Sequence, residues 1–426
     1  MTGSRFCRIA AALLVVLVPA CGGGGAGNSS KPPPPPPPTG SNVAPLIVDA
    51  GPDQLGVNLP SVSVRICAPG TAKCQTIDHI LVDTGSTGLR VIAAALTSTA
   101  VQLPAATTAG GAPLFECFAF ADGYSWGSVR VADVQLADGQ AANLRLQLIA
   151  DPAIPTAPTD CSEDLTTNPP SQMPSQNTIA ELGANGILGV SVFLQDCGSV
   201  CETLANPNGR GFYYACPGGT CTGTTVLVPA QLQNPVSRFA TDNNGVTIVL
   251  PALTAVGQQT ASGSLVLGID SQSNNRLGGA VVLSVDPLSG NFTAIFNGQT
   301  YTRGASLDSG SNGNFFTDTR LPACASPLYT GWYCPPTATS LSVTNQGVGA
   351  SSATSTVTFS VASIEALSNA NPSFAAYDNI AGTLLQPILA FDWGLPFFYG
   401  RSVSVAFEGQ ATSAGAGPFV AYADFL

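Results

Sequence analysis

Two short segments hold residues whose types and spacing suit acid–base chemistry: Asp83-Thr84-Gly85-Ser86 and Asp308-Ser309-Gly310-Ser311. Each follows an apolar run. The glycine two residues on permits a sharp turn that leaves the carboxylate at the tip of a tight loop. The hydroxyls of Thr84, Ser86, Ser309 and Ser311, with nearby backbone N–H groups, can bond to the carboxylates and fix their orientation. Two such loops facing each other would bring Asp83 and Asp308 within hydrogen-bond distance. Two like charges that close do not both ionise easily, so the pair shares a proton and its apparent pKa values split. One carboxylate then serves as general base on a water held between them. The other, protonated, polarises a carbonyl and later donates to the leaving amine. That chemistry is peptide hydrolysis, with no cofactor, metal or covalent intermediate.

The elements that must position these loops are strands. From about Asn42 the chain is a succession of short apolar or alternating runs broken by Gly, Pro, Asn and Asp. Ser61–Ile66, Ile80–Val82, Ser128–Leu136, Leu144–Ile149, Val246–Leu250, Ser264–Ile269, Ala280–Val285, Phe292–Ile295, Ser355–Val361 and Val403–Phe407 are expected as strands. Helices are expected to be few and short, at Val91–Leu96, Asn177–Leu182 and Ser191–Gln195. The strand–Asp–turn unit occurs twice. Each copy is followed by an apolar-Gly element, Ile187-Leu188-Gly189 in the first half and Asp392-Trp393-Gly394 in the second. An internal repeat of this kind predicts two related lobes, each giving one carboxylate to a shared cleft.

Composition agrees with an all-β protein. Of 426 residues, 45% are hydrophobic and only 9% charged, with 46 Gly and 34 Pro. A net charge of −11 with 14 Lys plus Arg and no basic cluster argues against nucleic-acid binding. An acidic, charge-poor chain also suits work in acid, where protonated carboxylates limit self-repulsion. The single histidine, His79, would have to carry any Ser-His-Asp or Cys-His mechanism, and it rules out a His-rich zinc site. A structural imidazole is the expected role for it.

The N-terminus has the form of an export signal. Arg5 and Arg8 precede an apolar stretch, Ile9–Val18, too short for a comfortable membrane span. The stretch ends in Val18-Pro19-Ala20-Cys21, which resembles a bacterial lipobox. Cys21 is therefore the expected lipidation site and the chain's one link to a membrane, with an ordinary cleaved signal or an uncleaved anchor as alternatives. Gly22–Gly25 and the polyproline run Pro32–Pro38 make a tether. Segments are expected at 1–21 (signal), 22–42 (linker), 43–235 (N-terminal lobe) and 236–426 (C-terminal lobe). Residues 22–42 are low-complexity and hold a single basic residue, Lys31, too few to pair with two carboxylates in a zymogen, so no activating cleavage is expected.

Setting aside Cys7 and Cys21 leaves ten of the 12 cysteines. In an exported chain an even number implies disulfides. Cys67–Cys74, Cys324–Cys334 and Cys117–Cys161 are expected, with Cys197, Cys201, Cys216 and Cys221 pairing among themselves. Irregular spacing makes a metal cluster the weaker reading.

Ile80–Val91, Asn185–Val190, Gly263–Ser271, Phe296–Gly313 and Trp393–Gly409 resemble, in order, segments of the pepsin family of aspartic peptidases. The resemblance implies a bilobal β-fold with a substrate cleft, Asp83 and Asp308 as catalytic residues, and a hairpin flap from the first lobe. Cys117–Ser128 sits where that flap belongs, with Phe120, Asp122, Gly123 and Tyr124 about its turn. Phe120 stands where the family has a tyrosine, so Tyr124 or Trp126 would have to supply a polar group. Arg90 stands where the family often has a supporting tryptophan. A solvated strand residue is expected there, the alternative being a charge near the cleft that lowers the pair's pKa. Asp392 stands where an apolar residue is expected. The expected function is an aspartic endopeptidase, exported by a bacterium, monomeric, with peptide or protein substrates. The alternatives are a non-catalytic surface protein binding peptide in the same cleft, and a β-rich adhesion domain. A glycosidase also uses two carboxylates, but it does not need them in duplicated loops.

Overall fold

The computed structural model describes residues 37–152, 155–164, 170–206, 211–349, 352–384 and 391–425. The signal segment, Cys21 and most of the tether lie outside the described residues. Strands dominate what is described, as the alternating and β-branched runs require. Fifteen of the described strands form one continuous sheet and seven form another. All ten runs expected as strands lie in strands, some shifted by a residue or two at their ends.

The fold repeats one unit around each Asp loop. In the first half, strand Cys74–Asp83 leads into the loop and strand Thr87–Ile92 leads out of it. Strand Gly186–Val190 threads between them, parallel to the first and antiparallel to the second. In the second half, Gln299–Leu307 leads in and Asn314–Phe316 leads out, with Phe391–Trp393 threaded between them in the same two senses. Every residue of Thr87–Ile92 and Gly186–Val190 is buried. Central strands buried on both faces read as continuous apolar runs, which is why these carried little alternation.

The sheet of fifteen takes strands from both halves of the chain, joined where Val43–Asp49 pairs with Ala261–Leu267. Its core is aliphatic: Leu46, Val48, Val64, Ile66, Val82, Leu188, Ile248 and Leu265 are buried. The seven-stranded sheet packs aromatic rings instead. Phe316 stacks on Phe391 at 4.8 Å, and Phe391 contacts Trp393 at 4.5 Å. Full burial of rings of this size contributes about 1.5–3 kcal/mol each. Trp393 satisfies its indole N–H by donating to Asn345 Oδ1 (2.9 Å).

Helices are short, with two corrections to expectation. The segment after Thr87–Ile92 makes a single 3-10 turn, Ala93–Ala95, because Val91 and Ile92 are taken by the sheet. Ser191–Gln195 is not helical; helix Val200–Thr203 follows it instead. Helix Ile179–Leu182 falls in the expected place, capped by the Thr178 hydroxyl accepting from Glu181 N–H. Five disulfides join Cys67–Cys74, Cys117–Cys161, Cys197–Cys201, Cys216–Cys221 and Cys324–Cys334. They fit an oxidising compartment outside the cytoplasm. Among the described residues no helix is long and apolar enough to cross a membrane.

Candidate active site

The two Asp loops meet and interlock. Thr84 Oγ1 donates to Leu307 O (2.9 Å) and accepts from Ser309 N–H (2.9 Å). Ser309 Oγ donates to Val82 O (2.7 Å) and accepts from Thr84 N–H (3.1 Å). Each hydroxyl thus ties the carbonyl just before one Asp to the opposite loop. Thr84 and Ser309 are both buried. Here an unmade hydrogen bond would be expensive, so the four bonds fix the loops against each other.

The carboxyls inherit that symmetry. Gly85 N–H donates to Asp83 Oδ1 (2.7 Å), and the Ser86 hydroxyl donates to Asp83 Oδ2. Gly310 N–H donates to Asp308 Oδ1 (2.8 Å), and Ser311 Oγ donates to Asp308 Oδ2 (3.2 Å). The glycines are required by the approach. A Cβ on Gly85 would lie 2.6 Å from Asp308 Cγ, and one on Gly310 would lie 2.7 Å from Asp83 Oδ1. Each loop therefore presents its bare backbone to the other loop's carboxyl. The two carboxyls are within hydrogen-bonding reach of each other. Gly85 is exposed and Asp308 and Gly310 keep partial solvent access, so the pair is reached by solvent.

Burial first, then the negative charge of Asp83, then that of Asp392 push the Asp308 carboxyl well above the usual carboxylate range. These causes favour a proton held within the pair. Asp392 stands in the sequence where an apolar residue is expected, and the structure accounts for it. Its irregularity in an apolar-Gly element is a third buried carboxyl, accepting from Ser311 Oγ (2.6 Å) and Ser306 Oγ (3.0 Å). Burial raises it to about 7, against the two hydroxyl bonds. The signal that could have found it was present: a charged residue inside an otherwise apolar strand must be satisfied by something.

Arg90 also needs correcting. It is not solvated but fully buried, with its guanidinium 2.6 Å from Glu116 Oε1 and 3.5 Å from Asp196 Oδ2. The ring of Phe118 lies over it at 3.7 Å. Asp196, desolvated and facing Glu116, is pushed well up and is hydrogen-bonded by the Tyr213 hydroxyl (2.8 Å). Glu116 and Phe118 both belong to strand Leu114–Ala119, so Arg90 braces that strand by charge.

The hairpin runs from Leu114–Ala119 to Tyr124–Leu136, with Ala119 opposite Tyr124 and Phe120 N–H donating to Gly123 O (2.8 Å) at the turn. Gly123 is buried against the carbonyl of Pro174. Phe120 packs with Leu81, Ala184 and Ile187, beside the strands that carry the first loop. Asp122, exposed at the tip, has its carboxyl raised by partial desolvation and then by the charge of Asp83. Tyr124 packs back with Cys117 and Trp126, and burial and the charge of Glu181 raise its hydroxyl. Trp126 is buried with its indole N–H donating to Pro155 O (2.9 Å), so it offers the site no polar group. His79 pairs with Asp49 (3.3 Å) and Asp78 (3.4 Å), away from both loops. Surface hollows lined by Val256, Pro335 and Leu367, and by Asp318, Arg320 and Leu341, include no residue of either loop.

Residues 38–422 match the family described as a protein of unknown function, DUF3443, and the chain belongs to that family. No curated protein matches it.

Proposed function

We propose that this family member is an aspartic-type endopeptidase on a bilobal pepsin-like fold, cleaving peptide bonds with a water activated between Asp83 and Asp308. The reading is supported above all by the reciprocal interlock of the two loops, which faces one carboxyl against the other. A binding protein has no need of a proton shared between two facing acids. Asp308 keeps that proton and Asp83 is the base. Asp83 takes a proton from water as its oxygen attacks the peptide carbonyl. Asp308 donates its hydrogen bond to the carbonyl oxygen, which gains negative charge. Proton transfer from the carboxyl pair to the leaving nitrogen then completes cleavage, and no covalent intermediate forms. On this reading peptide or protein substrate lies between two lobes, under the hairpin of Phe120, Asp122, Gly123 and Tyr124.

The chain acts outside the cytoplasm of a bacterium as a monomer, held to a membrane through a lipid on Cys21 and the Gly/Pro tether. Five disulfides support that location. Phe120 at the hairpin turn favours one second reading, a cleft that binds peptide without cleaving it.

The test is cleavage of an unstructured protein between acid and neutral pH. Wild type is expected to cut it, with inhibition by a statine-type peptide. Asp83→Asn is expected to lose about 10²–10⁴-fold in rate. Wild type that binds the statine peptide and leaves the protein intact would replace the peptidase by the binding reading.

A further inference from the structure

Asp392 has no counterpart in the first half of the molecule, and it reaches the pair through a single hydroxyl. Ser311 Oγ lies 3.2 Å from Asp308 Oδ2 and 2.6 Å from Asp392 Oδ2, so one hydroxyl is divided between two carboxyls. Its one proton can serve only one of them well at a time. Ser306 Oγ, 3.0 Å from Asp392 Oδ1, holds the other oxygen. The strands packed on either side of Phe391–Trp393 place Ser306 and Phe315 opposite Asp392, neither of which is charged. The titratable groups that bear on it are Asp83 and, across Ser311, Asp308, all three acids.

We propose that Asp392 is a positioning residue of this site, sharing the Ser311 hydroxyl with Asp308 and extending toward neutral pH the range in which the Asp83–Asp308 pair keeps a single proton. The inference rests on the peptidase reading for its consequence in catalysis, but not for its chemistry. As pH rises, ionisation of Asp392 adds a negative charge behind Asp308 and opposes loss of its proton. An ionised Asp392 also draws the Ser311 hydroxyl to itself, which removes a donor that would have favoured ionised Asp308. Both effects act in the same direction. A protein with this third carboxyl works nearer neutrality than the pair alone would.

Asp392→Asn keeps the shape and an oxygen to accept from Ser311 while removing the charge. The upper limb of the kcat/KM profile is expected to move about 1 pH unit toward acid, with the lower limb in place. At a pH on that limb this is about a tenfold loss. Carbon-13 titration of the aspartate carboxyls in the resting protein reads the same coupling without turnover. There the upper apparent pKa of the pair is expected to fall by a similar amount. An unmoved titration would overturn the inference whether or not the protein cleaves peptide. A shifted titration in a protein that cleaves nothing would uphold the coupling and overturn the peptidase reading instead.

Discussion

Leu81 and Ile187 in the first half stand in the same places as Ser306 and Asp392 in the second. Each pair lies side by side on parallel strands, two residues before the loop Asp and two before the threaded glycine. The first pair is apolar and closes over Phe120 of the hairpin. The second is polar, hydrogen-bonded within itself and onward to Ser311. The backbone pattern of the duplicated unit is thus indifferent to which kind of side chain fills it. What differs is the field. The first loop lies beside a cluster in which Arg90 faces Glu116 and Asp196, whereas the second has an extra acid behind it. The interlock makes the two carboxyls geometric equals, and the surroundings make them chemical unequals.

The comparison can be broken hardest at Arg90. Arg90→Met would leave Glu116 and Asp196 buried without a cation and is expected to remove about 3–5 kcal/mol of stability. The loss should be greatest above neutrality and ease as pH falls, because the orphaned carboxyls can then take up protons. Denaturant unfolding at two pH values checks both size and trend.

The symmetric part of the comparison is tested by the interlock. Thr84→Val orphans Leu307 O and Ser309 N–H, at about 1–3 kcal/mol each, and Ser309→Ala does the same to Val82 O and Thr84 N–H. The double variant is expected to lose less than the sum, since the two hydroxyls brace the same pair of loops.

A finer test separates the fields. A carboxyl raised in the folded state holds a proton there that the unfolded chain has already released. Such a group adds stability as pH falls from its folded value toward its ordinary one. Asp308, Asp196, Asp392 at about 7 and Asp378 at about 6 all act this way. The thermal midpoint is therefore expected to rise as pH is lowered from 8 toward 5. Asp392→Asn should flatten that rise and stabilise the protein above pH 7. Ile187→Val, at the matching place in the first half, should instead cost about 0.5–1.5 kcal/mol at every pH.

Much of this was legible in the sequence, for reasons that differ by residue. The Asp loops announced themselves because each needs a carboxylate, a glycine and hydroxyls at fixed spacing. Local cysteine pairs and alternating strands were legible because they depend on neighbours along the chain. Arg90 was misjudged, and Asp392 was noticed but not explained, because a buried charge is explained by partners far along the chain: Glu116 and Asp196 for one, Ser306 and Ser311 for the other. A helix at Ser191–Gln195 was expected from local propensity, but tertiary bonds hold the segment open, with Asn234 Nδ2 donating to Ser191 O (3.2 Å). Trp126 looked available by position, yet its indole N–H is already spent on Pro155.

The central claim is that Asp83 and Asp308 act as one site. Titrating the protein with a statine-type peptide tests it most directly, since that ligand's hydroxyl must sit between two carboxyls. One ligand per chain is expected, with affinity reduced about 10²-fold or more in both Asp83→Asn and Asp308→Asn. Binding that survives either substitution, or wild type that does not bind at all, would contradict a shared site.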